Sequence, residues 1–504
     1  MTNPVFLGRN LFFWCKNCNI PITSSNRCGI CNQKTRKVEI TPPFNVRPAL
    51  HDGLKILKNE IDSTYGNHTS SIFDRKIILF NRAPYLDILD EVIIDGKVIG
   101  KLRFNPKLLK WQFNPTIEGA IRIYSVHNKY PKWIIVDDGA EPYIRKGANV
   151  LAPGIVNYDQ KIEIGDFIFV LNQRKDLLGI AKSRYSAKNI GDIKKGEIAK
   201  SYQYIKKMRN YRIPEGGQDW EIVIESNSFI LDKLVERSRK IMRKALSRFP
   251  DAPVIISFSG GKDSLCALLT AKQELENFLI IFIDTGLEFP ETIEYTKSII
   301  HKLDLDSKFL IIKPEEDFWT LLSKFGMPTR DHRWCNRILK LACMEKFISD
   351  HYDHEEILTV LGSRKRESRS RYREKIISKN KNIPNQVNVN IIHNWSTFQV
   401  WLYLMREKLE FNPIYKNNFN RVGCWMCPSN KLGELKTIES THPDLYAKLW
   451  KYLEKYRKRI GADKDFIRYG LWRWRNHSAG MRKLARKLKI SLDLDYSYFE
   501  EFHW

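Results

Sequence analysis

The chain has 504 residues, 43% of them hydrophobic and 28% charged, and 84 Lys and Arg against 58 Asp and Glu leave a formal charge of +26. That is several domains' worth of chain, too apolar for a disordered protein, and no uncharged apolar run approaches the roughly 18 residues that span a bilayer. Such a surplus of cations favours a polyanionic partner through counterion release, and with 12% aromatic residues it points to nucleic acid. Arg9 interrupts the apolar patch near the N-terminus and no small-residue cleavage site follows, so a cytoplasmic protein without a signal peptide or membrane contact is expected.

Six segments follow in chain order. Residues 1–40 carry Cys15-x2-Cys18 and Cys28-x2-Cys31 across a nine-residue spacer. Two such knuckles aim four thiolates inward and satisfy tetrahedral Zn²⁺, predicting a zinc ribbon whose closed ligand set is structural; iron in a rubredoxin-like ribbon is the alternative. Residues 41–128 mix a helical stretch at 48–61 with strand-like alternation at 91–103, a mixed α+β region in which no chemistry is legible. Residues 129–206 read as a small β-barrel or sandwich, with short strands broken by Asp138-Gly139, Pro153-Gly154 and Gly165-Asp166. Residues 207–253 form a helical linker, its apolar stripe at 229–249 ended by Pro250 and Pro253.

From 254 to 430 apolar runs at 254–258, 278–283, 309–312 and 357–361 alternate with amphipathic helix-length segments. That alternation predicts α/β structure, a doubly wound and mostly parallel sheet. After the first run comes Ser259-Gly260-Gly261-Lys262-Asp263-Ser264. The glycines remove the Cβ atoms that would block phosphate oxygens, and the opening helix supplies N–H donors and a favourable dipole. Ser259 and Ser264 add hydroxyl donors, Lys262 a point charge, and Asp263 is suited to hold Mg²⁺ or to orient the loop. A Walker A loop is absent.

Cys335, Cys424 and Cys427 come from distant segments, a typical way to hold an iron–sulfur cluster, with Zn²⁺ the rival occupant. Cys343 lies eight residues past Cys335, about 12 Å along a shared helix, and reads as a buried apolar cysteine rather than a fourth ligand. Cys266 reads as buried. His351-x2-His354, among Asp353, Glu355 and Glu356, reads as a solvated helix end rather than half a metal site. Residues 431–504 are a basic helical region, with fifteen Lys and Arg against three acids at 448–489. Trp450, Tyr452, Tyr456, Tyr469, Trp472 and Trp474 lie among them, and both base stacking and core packing suit these aromatics.

Two resemblances sharpen this reading. WIIVDDGAEPYIRKGANVLAPGIV at 133–156, followed by IGDFIFVLN at 164–172, resembles a PUA domain. The resemblance implies RNA at Lys146-Gly147-Ala148-Asn149, beside Arg145. The loop at 259–264, IDTGLEFPET at 283–292, GSRKRES at 362–368, NWSTFQVWLYL, NPIY and RVGCWMCP together resemble the PAPS reductase-like branch of the PP-loop superfamily. That implies ATP, or the sulfonucleotides PAPS or APS, held by Ser257, Ser259, Gly260, Gly261, Lys262, Asp263 and Ser264. Asp284, Thr285 and Gly286 would line the adenosine side. Gly362 and Arg364 would meet the anionic end, with Lys262, Asp263 and Arg364 in catalytic roles.

The reductases of this branch use a further C-terminal cysteine as nucleophile, and no cysteine follows Cys427; Cys335 is followed by Asn336 rather than a second cysteine. Since sulfite transfer needs a thiolate at the reacting sulfur, plain reductase activity fits poorly. The expected activity is an ATP-dependent sulfurtransferase acting on RNA, tRNA first among candidates, with a sulfur donor or carrier as second partner. It resembles thiolases that combine a zinc ribbon, a PP-loop and a three-cysteine cluster. A sulfonucleotide reductase with accessory RNA-binding domains, and a non-catalytic nucleotide- and RNA-binding protein, remain as alternatives.

Overall fold

The structure, a computed structural model, describes residues 6–207, 212–352 and 356–502. His354, with Asp353 and Glu355, lies outside them. Four sheets follow one another along the chain. The ribbon is a three-stranded antiparallel sheet in the order Ile20–Thr23, Phe12–Cys15, Arg36–Lys37. A five-stranded antiparallel meander then runs through Asn45–Pro48, Leu79–Arg82, Leu89–Ile94, Lys97–Asn105 and Lys110–Pro115, backed by helices His51–Tyr65 and Ile117–His127. The alternation at 91–103 is thus folded into a hairpin rather than one strand. Asp95 and Gly96, at φ +51° and +69°, make the left-handed turn that matches strand twist. A Cβ on Gly96 would fall 2.5 Å from the Trp14 ring, so this turn seats the ribbon on the sheet.

The next module is a six-stranded sheet in the order Val150–Leu151, Glu197–Tyr204, Leu177–Ser183, Phe167–Leu171, Trp133–Val136, Ile155–Tyr158. Its pairings are antiparallel except Phe167–Leu171 with Trp133–Val136, and Ile134, Val136, Ile168, Leu178 and Ile198 fill its core.

Helix Trp220–Arg248 is longer than the apolar stripe at 229–249 implied. Asp219 caps it through Ile222 N–H, and its first turns bury Val223, Ser226 and Asn227 under the ribbon. Asn227 accepts from Thr23 N–H at 2.8 Å and donates to the Pro21 carbonyl at 3.1 Å. The ribbon therefore has no private core. Phe12, Trp14, Ile20 and Ile22 belong to the same apolar cluster as Val254, Leu265 and Phe398, with the Phe12 and Phe398 rings edge-on at 5.4 Å.

The α/β sheet has the order Phe309–Ile312, Leu279–Ile283, Val254–Ser257, Ile357–Val360, Gln386–Val389, with Ile377–Lys379 antiparallel at the edge. Strand order reverses between Val254–Ser257 and Ile357–Val360, and in such sheets ligands settle at the carboxyl ends of the strands flanking that point. Helices Leu432–Thr441, Pro443–Arg459, Lys464–Arg468 and Ala479–Leu488 close the chain around a second core. Trp472 and Tyr456 are buried in it, while Trp450, Tyr452, Tyr469 and Trp474 pack against it. Arg473, buried among them, donates to the Asn430 carbonyl at 2.6 Å. Among the described residues no helix is long and apolar enough to cross a membrane.

Candidate active site

The strand Val254–Ser257 delivers the chain to the reversal point, and the helix Lys262–Ala271 starts there with Gly261 as its cap residue. Gly260 has φ +68°, and a Cβ on it would lie 2.7 Å from Thr296 Oγ1; its carbonyl accepts from Asn412 Nδ2 at 3.2 Å. Only glycine makes that turn without strain. The Ser264 hydroxyl donates to the Gly261 carbonyl at 2.9 Å and accepts from Ser259 N–H at 3.2 Å, while Lys262 N–H donates to the Tyr415 hydroxyl at 3.0 Å. Across the reversal point, a Cβ on Gly362 would fall 2.6 Å from the Ser264 nitrogen, so glycine is needed where this strand end meets the first turn of helix Lys262–Ala271.

The electrostatics centre on Asp263. Its Oδ2 accepts from Lys262 Nζ at 2.7 Å and its Oδ1 from Arg364 Nε at 2.6 Å. Burial pushes this carboxyl up, but Arg364 and Lys262 outweigh burial and hold it down at about 2. Each oxygen holds one cation, so Asp263 orients Lys262 and Arg364, while its side chain keeps 18% exposure in the cavity wall. Arg364 in turn donates to Thr397 Oγ1 at 3.1 Å, and that hydroxyl donates to Asn45 Oδ1. Ser257, Ser259, Gly261, Lys262, Asp263, Ser264, Gly362 and Arg364 together wall a polar cavity of about 620 Å³, large enough for a nucleotide.

Cys335, Cys424 and Cys427 line a second, more apolar cavity of about 170 Å³. The turn at 424–427 is closed by Cys427 N–H on the Cys424 carbonyl at 3.1 Å, and Trp425 N–H ties it to the Leu287 carbonyl at 3.0 Å. Cys335 arrives on the short helix Trp334–Asn336, immediately before a π-helical stretch at Arg337–Ala342. Such insertions concentrate at functional sites. Lys340 from that stretch is 3.6 Å from Glu288 Oε1, and the Cys424 thiol is 3.9 Å from the same oxygen. Burial pushes the Cys335 thiol up to about 11 and Cys424 up to about 12, the second despite Lys340. The two cavities share Arg333, Arg421 and Val422 in their walls.

Of the residues expected on the adenosine side, Thr285 stands in the wall of the cysteine cavity. Asp284 accepts from Gly286 N–H at 2.9 Å and lies 3.8 Å from Lys313, outside both walls, as does Gly286. Cys343 lines neither cavity; burial and Glu315 raise its thiol. Cys266 is buried with its thiol toward the Val400 carbonyl. Asn45, Tyr415, Thr397, Arg333, Arg421 and Lys340 were not picked out from sequence. Asn45 carried no signal, because it belongs to the five-stranded sheet, far from the loop in sequence.

At the N-terminus the sulfurs of Cys15, Cys18, Cys28 and Cys31 all lie within 4.8 Å of one another, with Cys15–Cys31 at 3.5 Å and Cys18–Cys28 at 3.9 Å. Tetrahedral zinc with bonds of about 2.3 Å separates its sulfurs by roughly 3.8 Å, so the four fit one ion and leave it no open position. The Gln33 backbone N–H draws the Cys31 thiol down to about 7. Among the described residues the far-half trio does not close to that spacing.

Residues 253–430 match the phosphoadenosine phosphosulfate reductase domain, and residues 132–205 the PUA domain. The chain therefore contains a PAPS reductase domain, of the PP-loop superfamily, joined to a PUA domain, with an N-terminal cysteine cluster able to bind metal. It belongs to the family of "Uncharacterized protein MJ0066" of Methanocaldococcus jannaschii, to which it is 31% identical over 478 residues, 94% of this chain and 98% of that protein. An adenosine 5'-phosphosulfate reductase of Bacillus cytotoxicus is 24% identical over 226 residues, 43% of this chain and 90% of the reductase. A tRNA-guanine(15) transglycosylase of Methanothermobacter thermautotrophicus is 32% identical over 85 residues, 17% of this chain and 13% of that enzyme.

Proposed function

We propose that this protein is an ATP-dependent RNA sulfurtransferase, with tRNA as substrate. The observation that carries the reading is the shared wall: a nucleotide-sized cavity and a three-cysteine cavity meet at Arg333, Arg421 and Val422. The PUA domain and the charge of +26 supply the RNA-binding side. The short likeness to a tRNA-modifying enzyme favours tRNA.

In this mechanism the N–H groups at the start of helix Lys262–Ala271, with Lys262, hold the phosphates, and Asp263 fixes Lys262 and Arg364 in place. A base carbonyl oxygen attacks the α-phosphorus of ATP and pyrophosphate leaves, giving an adenylated base. Sulfide sulfur then adds to that carbon and AMP departs, leaving a thiocarbonyl. Arg364 and Lys262 neutralise charge that builds on phosphate oxygens during the first step. The donor set at the second cavity, three thiols wider apart than one zinc ion needs, fits an iron–sulfur cluster better than Zn²⁺. Cys335, Cys424 and Cys427 would hold that cluster, which supplies an iron without a fourth protein ligand to carry the sulfur.

The second reading, a sulfonucleotide reductase, is favoured by the domain match at 253–430. One experiment separates them. Anaerobically prepared protein is given an unmodified tRNA transcript with ATP and sulfide, or in a parallel reaction with PAPS or APS and a dithiol reductant, and the RNA is digested for nucleoside mass spectrometry. A thionucleoside formed with AMP supports transfer; sulfite released from PAPS or APS with unchanged RNA would replace this reading by the reductase.

A further inference from the structure

A groove of about 930 Å³ lies where the ribbon, the five-stranded sheet and the last strand of the PUA domain meet, and neither cavity of the active site uses it. Each module contributes cations. Arg36 and Lys37 come from the ribbon's third strand, Lys101 from the sheet, and Lys206 and Lys207 from just past Glu197–Tyr204. The wall's own salt bridge is Lys97–Glu118 at 2.8 Å; these five cations make none among the described residues. Two of the three acids in the wall are engaged elsewhere, Glu118 also with Arg122, and Glu91 with Thr41 and Asn81. Counting Lys97, six cations face three acids, which leaves the wall net positive.

It also offers ring faces. Tyr202 and Tyr204 are 37% and 39% exposed. Tyr202 is braced at 4.9 Å by the edge of Phe167. Tyr204 lies against Gly147, where a Cβ would sit 2.7 Å from the ring, so the glycine at φ +93° leaves the ring its place. Rings held by their neighbours lose little entropy on stacking, and alternating cations and aromatic faces suit unpaired nucleotides, whose phosphates and bases are both accessible.

We propose that this three-module groove holds an unpaired RNA strand, with Arg36, Lys37, Lys101, Lys206 and Lys207 on the phosphates and Tyr202 and Tyr204 under the bases. The proposal rests on the RNA reading above, yet it needs no sulfur chemistry and is tested by binding alone. The probes are a labelled oligouridylate and an RNA duplex, titrated with the full chain at several salt concentrations.

Substituting Lys101→Glu, Lys206→Glu and Lys207→Glu together is expected to weaken oligouridylate binding tenfold or more. The slope of log K against log[salt] should fall by about 2, three contacts at about 0.7 each on a single strand. ATP binding at the PP-loop should stay unchanged, which shows that the variant folds. Tyr202→Ala with Tyr204→Ala should weaken the oligouridylate several-fold and spare the duplex. Binding unchanged within twofold in the triple variant, or lost instead on charge reversal at Lys451 and Lys455, would overturn the proposal. So would displacement of the RNA by polyglutamate with no effect of the tyrosine changes, which would assign the groove to an acidic protein. Failure to find a thionucleoside leaves these binding results standing.

Discussion

The two cysteine sites of this chain are built in opposite ways. The N-terminal quartet is gathered from 17 consecutive residues, Cys15 to Cys31, closes its sulfurs to within 4.8 Å, and docks on helix Trp220–Arg248 through Ser226 and Asn227. The far-half trio is assembled from segments about ninety residues apart, is held more widely, and opens beside a nucleotide-sized cavity. A closed, local ligand set contributes folding energy; an open one, assembled by the fold, leaves room for chemistry.

The largest expected effect tests the first half of that contrast. Because the ribbon shares its core with the α/β domain, Cys28→Ser should remove a metal contribution of roughly 10 kcal/mol and, by calorimetry, abolish cooperative melting of the whole chain. A variant melting like the parent would break the comparison. Cys424→Ser should do the reverse. Thionucleoside formation, read by mass spectrometry, should vanish while the melting temperature moves by only a few degrees.

Asp263→Asn should lower kcat/KM for ATP by roughly 100-fold, about 2.7 kcal/mol, because Lys262 and Arg364 lose their common anchor. The pH dependence follows from the depressed carboxyl. Its stabilisation is fully present above the ordinary carboxylate value of about 4 and is lost as pH falls through about 2. Denaturant unfolding between pH 6 and 2 should show a component that the Asn variant lacks. The smallest effect belongs to Asn45→Ala. Removing the last member of the Arg364–Thr397–Asn45 chain should cost about 0.5–1.5 kcal/mol, a KM for ATP raised about 2- to 13-fold with kcat nearly unchanged. A kcat loss as large as that of Asp263→Asn would place Asn45 in the chemistry itself.

The active site was legible in part. The loop at 259–264, Gly362 and Arg364 were readable because close phosphate approach demands glycine and fixed cations at set spacings. All of them but Gly260 wall one cavity. Asp284 and Gly286 were expected there and lie outside it, since a motif marks a strand end without saying which way each side chain leaves it. The role of Asp263 likewise depended on geometry: a carboxylate beside a phosphate loop suits Mg²⁺ or loop orientation, and in the fold Lys262 and Arg364 each bond one of its oxygens. Among the aromatics of the C-terminal helices, which suit both stacking and core, Trp472 and Tyr456 are core, while Trp450, Tyr452, Tyr469 and Trp474 stay half-buried at its edge.

What the amino-acid order determined by itself was local: two thiol knuckles at metal spacing, a glycine turn between strand and helix, the period of each strand and helix, and the excess of cations. These depend on neighbours a few residues apart, whose geometry the backbone imposes wherever the segment ends up. Only tertiary packing brought Cys335 to Cys424 and Cys427, carried Asn45 to Arg364, and placed Arg36, Lys101 and Lys206 on one groove. Such meetings across tens to hundreds of residues follow from which apolar faces are buried together, and no spacing along the chain encodes them.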